Sequence, residues 1–141
     1  MKLKAFTLLE TVITLGLTVL LITLPVFTWQ HYQKTISFLM FKRELITNWE
    51  TLRCQCYVNN CLGSLKINKQ QITFTTFKND VKKTNQIIVP SFLESAPHAD
   101  FEINKRHAIA PTTLSFIDKQ DHSIHHFNIQ MGWGSVIYEK V

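Results

Sequence analysis

Three cysteines stand close together as Cys54, Cys56 and Cys61, in the pattern Cys-x-Cys-x4-Cys. Thiols at this spacing can cross-link or hold a metal. Cys54–Cys61 and Cys56–Cys61 enclose loops that a disulfide can close, whereas Cys54–Cys56 would be strained. The odd count leaves one thiol for packing or for another subunit. A tetrahedral zinc site would need a fourth ligand. No further Cys or His lies nearby in sequence, so no metal centre is expected. A second group, His122, His125 and His126, falls in one segment. On a strand, His125 shares a face with Phe127 and Ile129 while His126 points the other way, so the three imidazoles are not expected to converge. Lys82-Lys83 and Lys105-Arg106 are the exposed cations that could contact DNA phosphates, a contact that salt would weaken. They are placed in a turn or at a strand end. No nucleophile–base pair, glycine-rich phosphate loop or acid pair stands out, so neither an enzyme nor a cofactor nor a small-molecule substrate is expected. The remaining reactive side chain is Glu10, a carboxylate set inside an apolar run, where an ionisable group is expensive and asks for a partner.

The elements that must position these groups begin with that run. A helix over Phe6–Phe27, at about 1.5 Å per residue, is roughly 33 Å long, close to a hydrocarbon core of about 30 Å. Lys2 and Lys4 precede it, which places the N-terminus in the cytoplasm and the chain beyond Trp29 outside. The run is too long for a signal peptide and carries no small-x-small cleavage site at its end. The helix is expected to continue to about Cys56, because Phe38, Phe41, Leu45, Trp49, Leu52 and Cys56 recur at helical spacing on one face. Lys42, Arg43, Asn48, Glu50 and Arg53 take the other faces. Pro25 lies inside this helix and is expected to kink or loosen it. Cys56 on the packed stripe favours Cys54–Cys61 as the disulfide, with Cys56–Cys61 as the other pairing and three free thiols as the alternative to any bridge.

Beyond Gly63 the pattern turns to period two. Ser64–Asn68 and Gln71–Phe77 read as a hairpin turning at Asn68-Lys69-Gln70. Asn85–Val89, Phe101–Asn104, Leu114–Asp118, Ser123–Gln130 and Ser135–Lys140 read as further strands, with Pro90–Pro97 as a loop. The expected fold is α+β: a long N-terminal helix, half membrane-spanning and half amphipathic, packed on a C-terminal antiparallel sheet. A net charge of +5 is too mild and too dispersed for a dedicated nucleic-acid domain.

Lys4-Ala5-Phe6-Thr7-Leu8-Leu9-Glu10, flowing directly into the apolar run, resembles the processing site of type IV pilins and pseudopilins. The resemblance implies a leader over 1–5, a membrane and assembly helix over 6–27, and an extracellular pilin-like domain over 28–141 that includes the outer half of the helix. It implies cleavage by a prepilin peptidase between Ala5 and Phe6, and N-methylation of Phe6. It also implies an assembly role for Glu10, which would compensate the positive N-terminus of a neighbouring subunit. Ala5 departs from the glycine usual before the cut but remains small. The order of strands, with Ile87-Ile88-Val89-Pro90, Phe101-Glu102-Ile103 and the Gly132-Trp133-Gly134-Ser135 turn before a last strand, is similar to the D-type minor pseudopilins of Gram-positive competence systems. The partners so implied are other major and minor pilins, the membrane, and DNA through the assembled pilus. The precursor would be a single-pass membrane protein and the assembled subunit would lie at the cell surface. A minor pseudopilin of a type II-like secretion system, or of another type IV pilus, is the alternative.

Overall fold

The computed structural model describes residues 7–78, 81–95, 100–103, 109–132 and 134–141, and their side chains except those of 24–28, 30 and 31. The chain divides into two compact units, Met1–Ser37 and Phe38–Val141. One helix, α1 (Leu8–Asn59), contributes to both. It continues three residues past the expected Cys56 end and stops at Asn60, which takes a left-handed φ of 49°, a conformation asparagine tolerates at a helix C-terminus. Pro25, where a kink was expected, lies outside the described side chains.

The second unit is α+β. In it α1 from Phe38 onward is joined, among the described residues, by eight strands: β1 (Leu62–Ile67), β2 (Gln71–Lys78), β3 (Val81–Ile88), β4 (Leu93–Ser95), β5 (Asp100–Ile103), β6 (Thr112–Asp118), β7 (Ile124–Ile129) and β8 (Val136–Lys140). They form two four-stranded antiparallel sheets, ordered β3-β2-β1-β5 and β4-β6-β7-β8, where the sequence suggested one. The chain crosses between the sheets at β4, returns at β5 and crosses again at β6, so the sheets interleave in sequence. The β1–β2 hairpin turns where expected, with Asn68 N–H donating to the Gln71 carbonyl at 2.9 Å.

Two expectations are corrected. β4 occupies the stretch read as a loop over Pro90–Pro97, pairing with β6 from Leu93 to Ser95. β3 begins at Val81, not Asn85, so Lys82 and Lys83 sit within a strand. β3 is an edge strand whose residues are exposed except Ile87, and such strands carry lysines that discourage edge-to-edge pairing.

The helix stripe organises the core. Phe41, Leu45, Trp49, Leu52 and Cys56 are buried and Phe38 packs at the margin. The upper part of the stripe lies on the second sheet: the Phe41 ring meets Phe116 edge-on at 5.3 Å and Phe127 at 6.5 Å. The lower part lies on the first sheet so closely that a Cβ at Gly63 would sit 2.7 Å from the Cys56 sulfur. Leu65, Ile67, Ile72, Phe74 and Ile87 on one sheet and Leu114, Phe116, Phe127 and Ile129 on the other complete one continuous cluster.

Candidate functional site

In the first unit the described chain opens at Thr7, which caps α1. Its carbonyl accepts from Glu10 N–H at 3.0 Å and Thr11 N–H at 3.2 Å, and its hydroxyl lies 3.4 Å from Glu10 N–H. Thr7-Leu8-Leu9-Glu10 has the Thr-x-x-Glu spacing of a capping box. The sequence reading missed this signal because it read Glu10 only as a buried charge. Glu10 is exposed, in the first turn of the helix, where the unpaired amides and the helix dipole favour a negative side chain. A carboxylate here thus has a local stabiliser besides any neighbouring subunit. Ala5 and Phe6, the expected cleavage site and methylated residue, lie outside the described residues.

From Leu8 to Thr23 the helix is mostly apolar, with Glu10, Thr11, Thr14 and Thr18 along one side, and every described residue is exposed, with Leu8, Val12, Leu15, Leu21 and Ile22 all above 60 %. A helix of that composition belongs inside a large core or a membrane. The polar residues in it spend their donors internally. Thr11 Oγ1 donates to the Leu8 carbonyl at 2.7 Å, Thr14 to Glu10 at 2.9 Å, Thr18 to Thr14 at 2.9 Å and Thr23 to Val19 at 3.0 Å. Among the described residues no helix is long and apolar enough to cross a membrane. The described side chains of the run stop at Thr23, short of the roughly 20 residues a span takes.

In the second unit the thiols divide by position. All three cysteines are free; Cys54 is exposed while Cys56 and Cys61 are buried. Cys56 and Cys61 are neighbours: the Cys61 amide donates to the Cys56 carbonyl at 3.1 Å, and the Cys61 thiol donates to the Gln55 carbonyl at 3.6 Å. Burial, then the Cys61 hydrogen bond and charge, push the Cys56 thiol up to about 12. Neither expected pairing is bridged, and the thiol Cys61 lies near is Cys56, which is buried with it, while Cys54 is exposed.

The histidines separate as expected. His125, Phe127 and Ile129 are buried on one face of β7. His125 Nδ1 lies 2.8 Å from Tyr138 Oη, and Nε2 lies 3.3 Å from Ser123 Oγ, which donates to Asp121 at 2.7 Å. The Phe38 ring sits 4.3 Å away, and Lys42 Nζ lies 3.7 Å over the Tyr138 ring. Both ring nitrogens are thus engaged in a core network that ties β7 to β8. Burial raises the Tyr138 phenol. His126 faces the other way, onto Ser115 at 2.9 Å, and His122 is exposed. Among the described residues no three His, Cys, Asp or Glu side chains could hold a metal.

No family model, curated protein or solved structure matches the chain. The candidate DNA contacts must then stand on geometry alone, and the two that are described, Lys82 and Lys83, point to opposite faces of their sheet. Lys82 points to the outer face of its sheet, opposite Phe77 and 5.9 Å from its ring centre, whereas Lys83 points to the helix side opposite Thr76. Lys105 and Arg106 lie outside the described residues. The Gly turn before β8 emerges instead as a structural joint. The Trp49 indole donates to the Gly134 carbonyl at 2.7 Å, a bond that joins α1 to the β7–β8 turn.

Proposed function

We propose that the chain is a minor pilin-like subunit of a competence type IV pilus, needed to assemble the structure that takes up extracellular DNA. The observation that carries this reading is the helix start. A Lys-Ala-Phe junction leads directly into a Thr-x-x-Glu cap and a mostly apolar, exposed helix, and that helix continues into a head of antiparallel strands. Such a helix is insoluble alone and needs either lipid or the helices of other subunits around it. In this reading a prepilin peptidase removes Met1–Ala5 and leaves a charged amine on Phe6. The helix waits in the membrane, then enters a bundle in which Glu10 meets the amine of a neighbour. Two opposite charges brought together in an apolar bundle relieve one another's desolvation, so Glu10 sets register as well as capping its own helix. The head supplies the surface other subunits meet, and DNA is engaged through the assembled pilus.

In-frame deletion of the gene in a transformable host, complemented by wild type or by Glu10→Ala, tests the proposal. Transformation lost on deletion, and restored by wild type but not by the variant, is the expected result. Unchanged transformation on deletion would overturn the competence role and direct the search to a type II-like secretion system. Retention of Met1–Ala5 in the presence of a prepilin peptidase, read by mass spectrometry, would overturn the pilin reading itself.

A further inference from the structure

A concavity of the second unit lies between α1 and the β2–β3 hairpin. Cavities of about 460 and 240 Å³ adjoin there and share Gln55, Thr76 and Lys83, so they form one slot. The larger lies within the size range of ordinary ligand sites. One wall is the helix stripe Asn48, Thr51, Gln55 and Asn59. The other is Thr76 and Lys78 on β2 with Lys83 and Asn85 on β3. Leu52 and Phe74 lie at its base. An amide contact closes each end, Asn85 to Asn48 at one and Lys78 Nζ to Asn59 Oδ1 at 2.9 Å at the other. Eleven helical residues separate those ends, or about 16 Å.

This composition differs from that of a packing interface. One residue row away, α1 presents Leu45, Trp49, Leu52 and Cys56 to the core. Toward β3 it presents amides and a hydroxyl, and on the helix-facing side of β3 Val81, Lys83 and Asn85 remain exposed while Ile87 joins the core. Amide side chains both donate and accept, which suits ligand hydroxyls, and an ammonium is a point-charge binder of phosphate. Lys78 and Lys83 are diagonal neighbours across the β2–β3 pair, opposite Val81 and Thr76 respectively, a placement of about 7–8 Å. They can address two anionic groups at once. Among the described lining residues there is no carboxylate.

We propose that this slot binds a single hydroxyl-rich phosphate chain, a polyol or sugar phosphate polymer, with Lys78 and Lys83 on successive phosphates, Gln55 and Thr76 on the hydroxyl between them and Asn48 on the next hydroxyl along the chain. A slot walled by a helix and a strand admits one extended chain and not a duplex. The inference is independent of the assembly role, because it uses only residues of the second unit.

The test is isothermal titration of the full-length chain in detergent micelles with a synthetic glycerol phosphate hexamer. A neutral dextran oligosaccharide and a single-stranded oligodeoxynucleotide of equal charge are run beside it. Saturable binding of the hexamer is expected. Lys83→Gln should weaken it at least tenfold, Lys83→Arg should retain most of it, and Lys69→Gln in the β1–β2 turn should leave it unchanged, all with unaltered melting temperature. No saturable binding at millimolar hexamer overturns the proposal. So does an equal loss from Lys69→Gln, which would mean a general charge effect. Tighter binding of the oligonucleotide also overturns it and assigns the slot to nucleic acid.

Discussion

The two glycines of the β7–β8 turn offer a controlled measurement of what holds the head together. Both lie in the left-handed region, Gly132 at φ 82° and Gly134 at φ 63°, so alanine at either should cost about 1–2 kcal/mol from backbone conformation. They differ in surroundings. A Cβ at Gly132 would meet nothing within 4 Å, whereas one at Gly134 would lie 2.4 Å from Ile109 Cδ1 and 3.2 Å from Arg53 Cδ. Forcing a methyl into a packed site adds about 1–3 kcal/mol. Any shift of the turn also strains the Trp49 indole bond to the Gly134 carbonyl, whose loss would leave a buried acceptor unsatisfied at about 1–3 kcal/mol. For a head of this size each kcal/mol lowers the melting temperature by about 4–8 °C. Gly132→Ala should thus lower it by about 5–15 °C, and Gly134→Ala by about 10 °C more. The assay is thermal unfolding of the full-length chain in detergent, followed by tryptophan fluorescence, since Trp49 is buried. Ile109→Val deletes the clashing Cδ1 and should return part of the loss in the Gly134→Ala background while costing about 0.5–1.5 kcal/mol alone. Equal losses from the two glycine variants, or strict additivity with Ile109→Val, would refute the steric account.

Two further outcomes follow from the helix cap and from the thiols. Thr7→Ala removes the capping hydroxyl and should cost the first turn about 1 kcal/mol, read as faster amide hydrogen exchange at Leu9–Thr11 with exchange at Leu45–Cys56 unchanged. Iodoacetamide at pH 8 should label Cys54 first and leave Cys56 unmodified until the head unfolds, as peptide mass mapping would show. Because the folded Cys56 thiol stands at about 12 against 9.0 for an unperturbed one, the folded form holds its proton where the unfolded form releases it. Its contribution to stability is whole below about pH 9 and is lost as pH rises toward 12. Cys56→Ser, compared by urea titration, should show a shallower fall over that interval.

The parts of the fold that could be read from the chain are those where one face is buried. Phe38 to Cys56 recur at helical spacing because a single stripe of α1 meets the sheets, and His125, Phe127 and Ile129 alternate because one face of β7 does. β3 was half missed because it lies at an edge and is buried only at Ile87, so Val81 to Thr84 carry no alternation to read. β4 is three residues long, too short for any period, and is made a strand by its partner β6. The division into two sheets rests on β1–β5 and β4–β6 pairings between distant segments, which leave no local trace. The Trp49–Gly134 bond spans 85 positions and is equally silent. The Thr7-x-x-Glu10 spacing, by contrast, is a local signal that the sequence carries in full, because a cap is built from residues of one turn.

The threonines of the N-terminal helix carry a consequence for exchange between surroundings. With Thr11, Thr14, Thr18 and Thr23 hydrogen-bonded to their own backbone, moving this stretch from one apolar medium to another makes and breaks no polar bond. The free-energy difference between two such media then reduces to differences in contact between hydrocarbon surfaces, which are small and nearly symmetric. Transfer in either direction should be readily reversible over the length of the stretch. Glu10, the one ionisable group between Thr7 and Thr23, is left as the sole position at which the two media are told apart.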